Sequence, residues 1–229
     1  MKNIHEFANK IDCQFKDENI LLQALVHRSY LNEHLDLSLG HNERLEFLGD
    51  AVLELVVTEY LYKKYDNPEG ELTNWRAALV NAKILAEIAH DLGVEEYLHL
   101  SRGEAKDKNQ KARNYILANA MEAIIGAIYL DQGMGQVREF INKNIIKHLP
   151  DILANKLYID AKSLFQEEAQ DRVGITPSYQ VLSESGPDHN KKFVIGVYLE
   201  DELIAQGQGS SKQEAQMAAA EEALKIKQW

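Results

Sequence analysis

Cysteine is nearly missing from this chain: Cys13 is the only one among 229 residues. An intrachain disulfide is impossible, and a thiolate zinc cluster or a Cys-based redox pair is excluded with it. No stretch approaches eighteen apolar residues, and the opening MKNIHEFANKIDCQF has no apolar h-region. These two absences set the expectation of a cytoplasmic protein with no membrane partner. Basic residues are in the minority, 25 against 36 acids, for a net charge of −11. That balance argues against non-specific nucleic-acid binding, which leaves a basic footprint, and is compatible with a hydrolase whose acidic site holds metal. There is no internal repeat and no low-complexity tract.

What is present is helical over the first two thirds. Ile4, Phe7, Ala8 and Ile11 recur at helical spacing, and Asp17 is a candidate cap for a helix ENILLQALVHRSYL closing near Asn32. No Ser or Cys nucleophile pattern accompanies His27, so a hydrogen-bonded structural role is expected for it. Further helices are predicted over 41–60 and 72–90, over 111–131 and on toward Pro150, with a charged surface loop after Gly93. Beyond about residue 160 the texture changes. A helix ended by Gly174 precedes three short runs of β-branched and aromatic residues, and an alanine-rich helix follows. The predicted fold is therefore multi-domain: an all-α domain over 1–150, a linker over 151–158, and a small α+β module, α-β-β-β-α, over 159–229.

The chain is organised around residues 41–60, HNERLEFLGDAVLELVVTEY. At 100° per residue, Glu43, Glu46 and Asp50 fall within about 60° of one another over about 10 Å of axis. Leu45, Leu48, Val52, Leu55 and Val56 lie on the opposite arc, and Phe47, Leu53 and Val57 bracket the acids, so the helix is apolar almost all round. At about 4 Å and an effective dielectric near 20, two like charges repel by roughly 4 kcal/mol, and a divalent cation would relieve that. The second strongly apolar helix, KARNYILANAMEAIIGAIYLD, places Asn119 and Glu122 three apart on one face. Gly126 and the alanines beside it would let another helix approach closely. Oxygen donors without His or Cys suit Mg²⁺, or Mn²⁺ in its place, better than zinc or copper. Such a site suggests phosphoryl chemistry. Solvated acids on amphipathic helices are the plainer reading of the same pattern. A di-iron bundle would want Glu-x-x-His pairs, which neither helix has.

The run HNERLEFLGDAVL resembles the signature of ribonuclease III, and ALVHRS, EGELTNWRAALV and YILANAMEAIIGAIYLD agree in order. The C-terminal segment is similar to a double-stranded-RNA-binding domain, so the resemblance covers nearly the whole chain. It implies a homodimeric endoribonuclease that hydrolyses double-stranded RNA with Mg²⁺, leaves 5′-phosphate and 3′-hydroxyl ends, and processes structured precursors such as ribosomal and messenger RNA. By motif, Glu46, Asp50 and Glu122 match the family's metal-binding carboxylates, with Asp50 and Glu122 catalytic. Glu43 matches a supporting acid and Glu69 a glutamate at the dimer interface. The resemblance also places Gln166, Glu167 and His189 at RNA minor grooves and Lys212 against phosphates.

One position departs from the family pattern. Asn119 stands where aspartate is usual. An amide oxygen still ligates Mg²⁺, so the expectation is a working site of weaker metal affinity; the alternative is a duplex-RNA-binding regulator with attenuated cleavage. Gln213 and Gln216 stand where many members carry basic residues, so phosphate contacts should be few. The isolated module is expected to bind duplex RNA modestly, with a shallow dependence of affinity on salt. A salt titration with a steep slope, equivalent to many released counterions, would contradict this.

Overall fold

In a computed structural model of the chain, residues 3–34, 38–187 and 191–229 are described. Contacts divide the chain into two units, Met1–Tyr158 and Ile159–Trp229. In the first unit, α1 (Ile4–Lys10), α2 (Glu18–Ala24) and α3 (Arg28–Leu31) precede the long α4 (Glu43–Lys64). Then come α5 (Glu69–Val80), α6 (Ala82–Asp91), the short α7 (Arg102–Lys106), α8 (Gln110–Asn144) and α9 (Leu149–Ala154). The described residues here hold no strand, only a single bridge between Val26 and His99.

The centre of this unit is the crossing of α4 and α8. Leu53, Val57, Met121, Ile124, Ile125 and Ile128 are fully buried around it. The helices touch backbone to backbone where Gly49 meets Gly126. A Cβ at Gly49 would collide with the carbonyl oxygen of Glu122 and sit 2.9 Å from the Gly126 nitrogen. A Cβ at Gly126 would collide with the Leu45 carbonyl oxygen. Farther along, α8 is interrupted at Gly133, whose φ of 82° and ψ of −178° are not helical. Just before that break, Asp131 accepts the backbone N–H groups of Lys16 and Asp17 at 2.9 and 3.0 Å, tying the entry of α2 to α8.

Several sequence expectations need correction. The segment 18–32 is two short helices, because Leu25 and His27 exchange backbone hydrogen bonds with His99 at 2.8 and 3.1 Å. His27 caps α3, accepting the Ser29 N–H at its Nδ1, which also lies 2.8 Å from the Ser29 hydroxyl. The expected helix 72–90 is split at Asn81, whose side-chain oxygen accepts the N–H groups of Lys83 and Ile84 while its amide donates to the Ala78 carbonyl. A side chain that offers the backbone these alternatives ends one helix and starts the next. The stretch after Gly93 is no plain surface loop, since Val94, Tyr97 and Leu98 are buried. Residues 151–158 are not a free linker: Ile152 of α9 is buried in the first core and Tyr158 packs edge-on against Trp75. On α4, Leu55 faces solvent rather than the core, 55% exposed.

The second unit is a helix, three strands and a helix: α10 (Ala161–Val173), β1 (Ser178–Ser185), β2 (Lys192–Leu199), β3 (Glu202–Gly209) and α11 (Lys212–Lys227). The strands form an antiparallel sheet in the order β1-β2-β3. Phe165 and Ala169 of α10, Val197 and Leu199 of β2, and Ala219, Ala220 and Ala223 of α11 form its core. Small residues on α11 let it lie close against β3. Asp160 and Ser211 cap the two helices, accepting N–H groups from Ser163 and Glu214.

The Gly49–Gly126 contact has a direct test. Gly49→Ala forces apart two backbones that have no slack, and should lower stability by about 3 kcal/mol in chemical denaturation, a large overpacking penalty. A change within a few tenths of a kcal/mol would rule out the crossing.

Candidate active site

The crossing positions the acids. Since the Glu122 carbonyl lies against Gly49, the side chains of Asp50 and Glu46 on α4 face those of Glu122 and Asn119 on α8. Burial pushes the Glu122 carboxyl up to about 7, and the charges of Asp50 and then Glu46 add to the push. Glu46 is raised as well, by burial first and then by Glu43 and Asp50. A hydrogen bond from the Asn119 amide works in the opposite direction, favouring ionised Glu46. An aspartate at that position, when ionised, has no proton to give. Glu43 lies one turn toward the N-terminus of α4, within 3.3 Å of the Arg28 guanidinium and 3.7 Å of the His41 imidazole.

The four residues expected at a metal, Glu46, Asp50, Asn119 and Glu122, thus share one face. Among the described residues no three His, Cys, Asp or Glu side chains stand close enough together to hold a metal ion by themselves. Three of the four oxygen donors on this face are carboxylates and the fourth is an amide. Hard oxygen donors of this kind fit Mg²⁺ or Mn²⁺. Cys13 is no rival centre: it is buried, and burial pushes its thiol up to about 11, where it is not nucleophilic.

Glu69 opens α5, exposed, and lines a separate groove of about 850 Å³ with Thr58, Tyr62 and Arg76. In the second unit Gln166 and Glu167 are exposed on α10, and Lys212 is exposed at the first turn of α11. Gln216 accepts a hydrogen bond from Lys162 at 3.0 Å. His189 lies outside the described residues. Sequence reasoning missed Arg28 as the partner of Glu43. Its signal was the polar triplet His27, Arg28 and Ser29, hidden by treating 18–32 as one helix.

Residues 17–149 match the family model described as Ribonuclease-III-like, and residues 161–227 match that of the double-stranded RNA binding motif. The chain belongs to the ribonuclease III family. The Ribonuclease 3 of Nitratiruptor sp. is 44% identical over 227 residues, 99% of this chain and 97% of that one. That of Protochlamydia amoebophila is 45% identical over 216 residues, 94% of this chain and 88% of its own length. The crystal structure of the nuclease domain of ribonuclease III from Campylobacter jejuni is 42% identical, with a TM-score of 0.56, covering 66% of this chain and 98% of that one. The chain is thus a ribonuclease III, a double-strand-specific endoribonuclease with a helical nuclease unit and a duplex-RNA-binding module. Among the described residues no helix is long and apolar enough to cross a membrane.

The electrostatics of this ribonuclease III carry a pH signature. Glu122 titrates near 7 in the folded chain, against 4.5 for an unperturbed glutamate. Between those values the folded state keeps a proton that the unfolded state has released, so stability falls as pH rises through that window. In metal-free protein, Glu122→Gln should flatten the fall and raise the thermal midpoint at pH 7 and above. Identical midpoint-against-pH curves for the two proteins would contradict the burial of this carboxyl.

Proposed function

We propose that Glu46, Asp50, Asn119 and Glu122 hold Mg²⁺, or Mn²⁺ in its place, and that Asp50 and Glu122 are the catalytic carboxylates for hydrolysis of phosphodiester bonds in duplex RNA. The observation that carries this reading is the Glu122 carboxyl, pushed up to about 7 between Asp50 and Glu46 at a helix crossing. A buried acid among like charges is destabilising unless a cation neutralises it, and its perturbed proton affinity is typical of functional sites. When bound, the metal supplies an activated water and stabilises developing charge on oxygen. The side chains do the rest. Asp50 and Glu122, on different helices, would hold the ion between them. The Asn119 amide donates to Glu46 and favours its ionised form against the larger upward push of burial and the neighbouring acids, and its oxygen is the atom that would ligate the ion. Glu43 supports the site from its rim, held by Arg28 and His41.

Hydrolysis at the 3′ oxygen side leaves 5′-phosphate and 3′-hydroxyl ends. The substrates we infer are structured precursors, ribosomal and messenger RNA among them, in the bacterial cytoplasm. We infer RNA contacts for Gln166, Glu167 and Lys212, exposed on the second unit, and for His189 by family resemblance; such a module reads the shape of A-form duplex through minor grooves and phosphates. The working assembly is a homodimer. In support, Phe47 and Tyr62 on the outer face of α4 are 81% and 79% exposed, and Leu55 lies between them. Exposed apolar surface of this kind marks an interface, and the groove carrying Glu69 adjoins it through Tyr62. For the Campylobacter jejuni nuclease domain, a region involved in dimer formation is described.

Asn119 favours a second reading, a duplex-RNA-binding regulator with attenuated cleavage, because one negative charge of the metal site is gone. Cleavage of a long RNA duplex with and without Mg²⁺ separates the two. The natural chain should cut, and Glu122→Gln should lose at least about a hundredfold in rate while still binding RNA. Asn119→Asp should lower the Mg²⁺ concentration needed for half-maximal rate. No cleavage by the natural chain, with gain in Asn119→Asp, would establish the regulator instead. Unimpaired cleavage by Glu122→Gln would show that the site is misassigned.

A further inference from the structure

The module's sheet places an acid where its lysines gather. Register sets Glu184 of β1 opposite Phe193 of β2, and Phe193 opposite Gly209 of β3, two residues before the cap Ser211 of α11. Directly opposed residues project to the same face, so Glu184 shares a face with Phe193. Over the Phe193 ring, 5.9 Å from its centroid, lies the ammonium of Lys212. Lys191 sets its ammonium 2.7 Å from the Glu184 carboxylate. The hydrogen bond and charge of Lys191, with a further contribution from Lys212, hold the Glu184 carboxyl below its usual range. The neighbouring acid, Glu214, is engaged differently: it accepts the Ser210 N–H at 2.9 Å as part of the cap of α11.

A partly exposed ion pair such as Lys191–Glu184 adds little to folding, but its placement bears on binding. We propose that Glu184 is an internal competitor for RNA phosphates, occupying Lys191 and facing Lys212, so that a duplex backbone must displace it to engage both lysines. The inference rests on the duplex-RNA-binding reading of Lys212. It gives a structural cause for weak, easily reversed binding beyond the scarcity of lysines on α11. A carboxylate that stays at this corner while phosphates arrive repels them; one that yields Lys191 lets that ammonium turn to a phosphate beside Lys212.

Anisotropy of the full chain with an RNA duplex of about 20 base pairs, long enough for one module, measured without divalent metal so that cleavage does not intervene, provides the test. Glu184→Gln should bind roughly fivefold tighter at low salt, with a log–log salt slope steeper by about 1, one further phosphate contact. In a Lys191→Ala background the same substitution should gain less, because the two effects share a partner. Glu184→Thr, a residue suited to a strand, should show the same gain and serves if the glutamine variant does not fold. Equal or weaker binding by the variants, at an unchanged thermal midpoint, would overturn the proposal. Failure of the parent chain itself to bind the duplex would instead overturn the RNA-binding reading beneath it.

Discussion

Two glycines, Gly49 and Gly126, allow α4 and α8 to meet backbone to backbone, and the rest of the first unit depends on that contact. Ordinary helix pairs are held 8–10 Å apart by side chains at the crossing. Here the side chains are removed at the crossing point, and the carbonyl of Glu122 rests against Gly49. The residues on either side then have little choice: Glu46, Asp50, Asn119 and Glu122 are drawn onto one small face. The surrounding core, with Leu53, Val57, Met121, Ile124 and Ile125 all buried, holds the helices in place against the repulsion of the acids.

The repulsion is visible in the protonation of the site. Glu122 and Glu46 are both raised, burial acting first and neighbouring carboxylates second. Asn119 is the one residue of the face that relieves rather than adds to the strain, because its amide donates a hydrogen bond to Glu46. The replacement of an acid by an amide thus has two consequences of opposite sign. It removes a charge that would attract a cation, and it supplies a hydrogen bond that opposes, without overcoming, the upward push on Glu46. The acidic balance of the chain, 36 acids to 25 bases, is in part this concentration of carboxylates and in part ordinary solvated surface.

Much of the architecture was readable from local pattern. The two strongly apolar helices, the change of texture near residue 160, and the α-β-β-β-α order each have a period, a cap or a breaker that announces them. Asp17 begins a helix by accepting the Asn19 N–H at its side chain, and Gly174 ends one by taking a left-handed backbone conformation, so each acts through its own chemistry. Failures occurred where a distant segment outcompeted local propensity. Leu25 and His27 leave the helical pattern because His99, more than seventy residues away, pairs with them. Asn81 splits a run with continuous apolar spacing because its side chain serves the backbone better than the helix does. Residues 151–158 lie where a linker is expected between the helical and the α+β textures, yet Ile152 and Tyr158 find apolar partners in the first core.

By itself the sequence determined the identity and the order of the acids, their helical phase on α4 and α8, the two-unit layout and the family signature, since all of these are properties of spacing along the chain. Only the tertiary structure decided that the two helices meet at Gly49 and Gly126, that Glu122 is the carboxyl most strongly driven to hold its proton, that Asn119 bonds to Glu46, and that Leu55 and Phe47 turn outward. Those depend on which surfaces come within a few ångströms of each other, and both burial and Coulomb repulsion are set by distance in space rather than by separation in sequence.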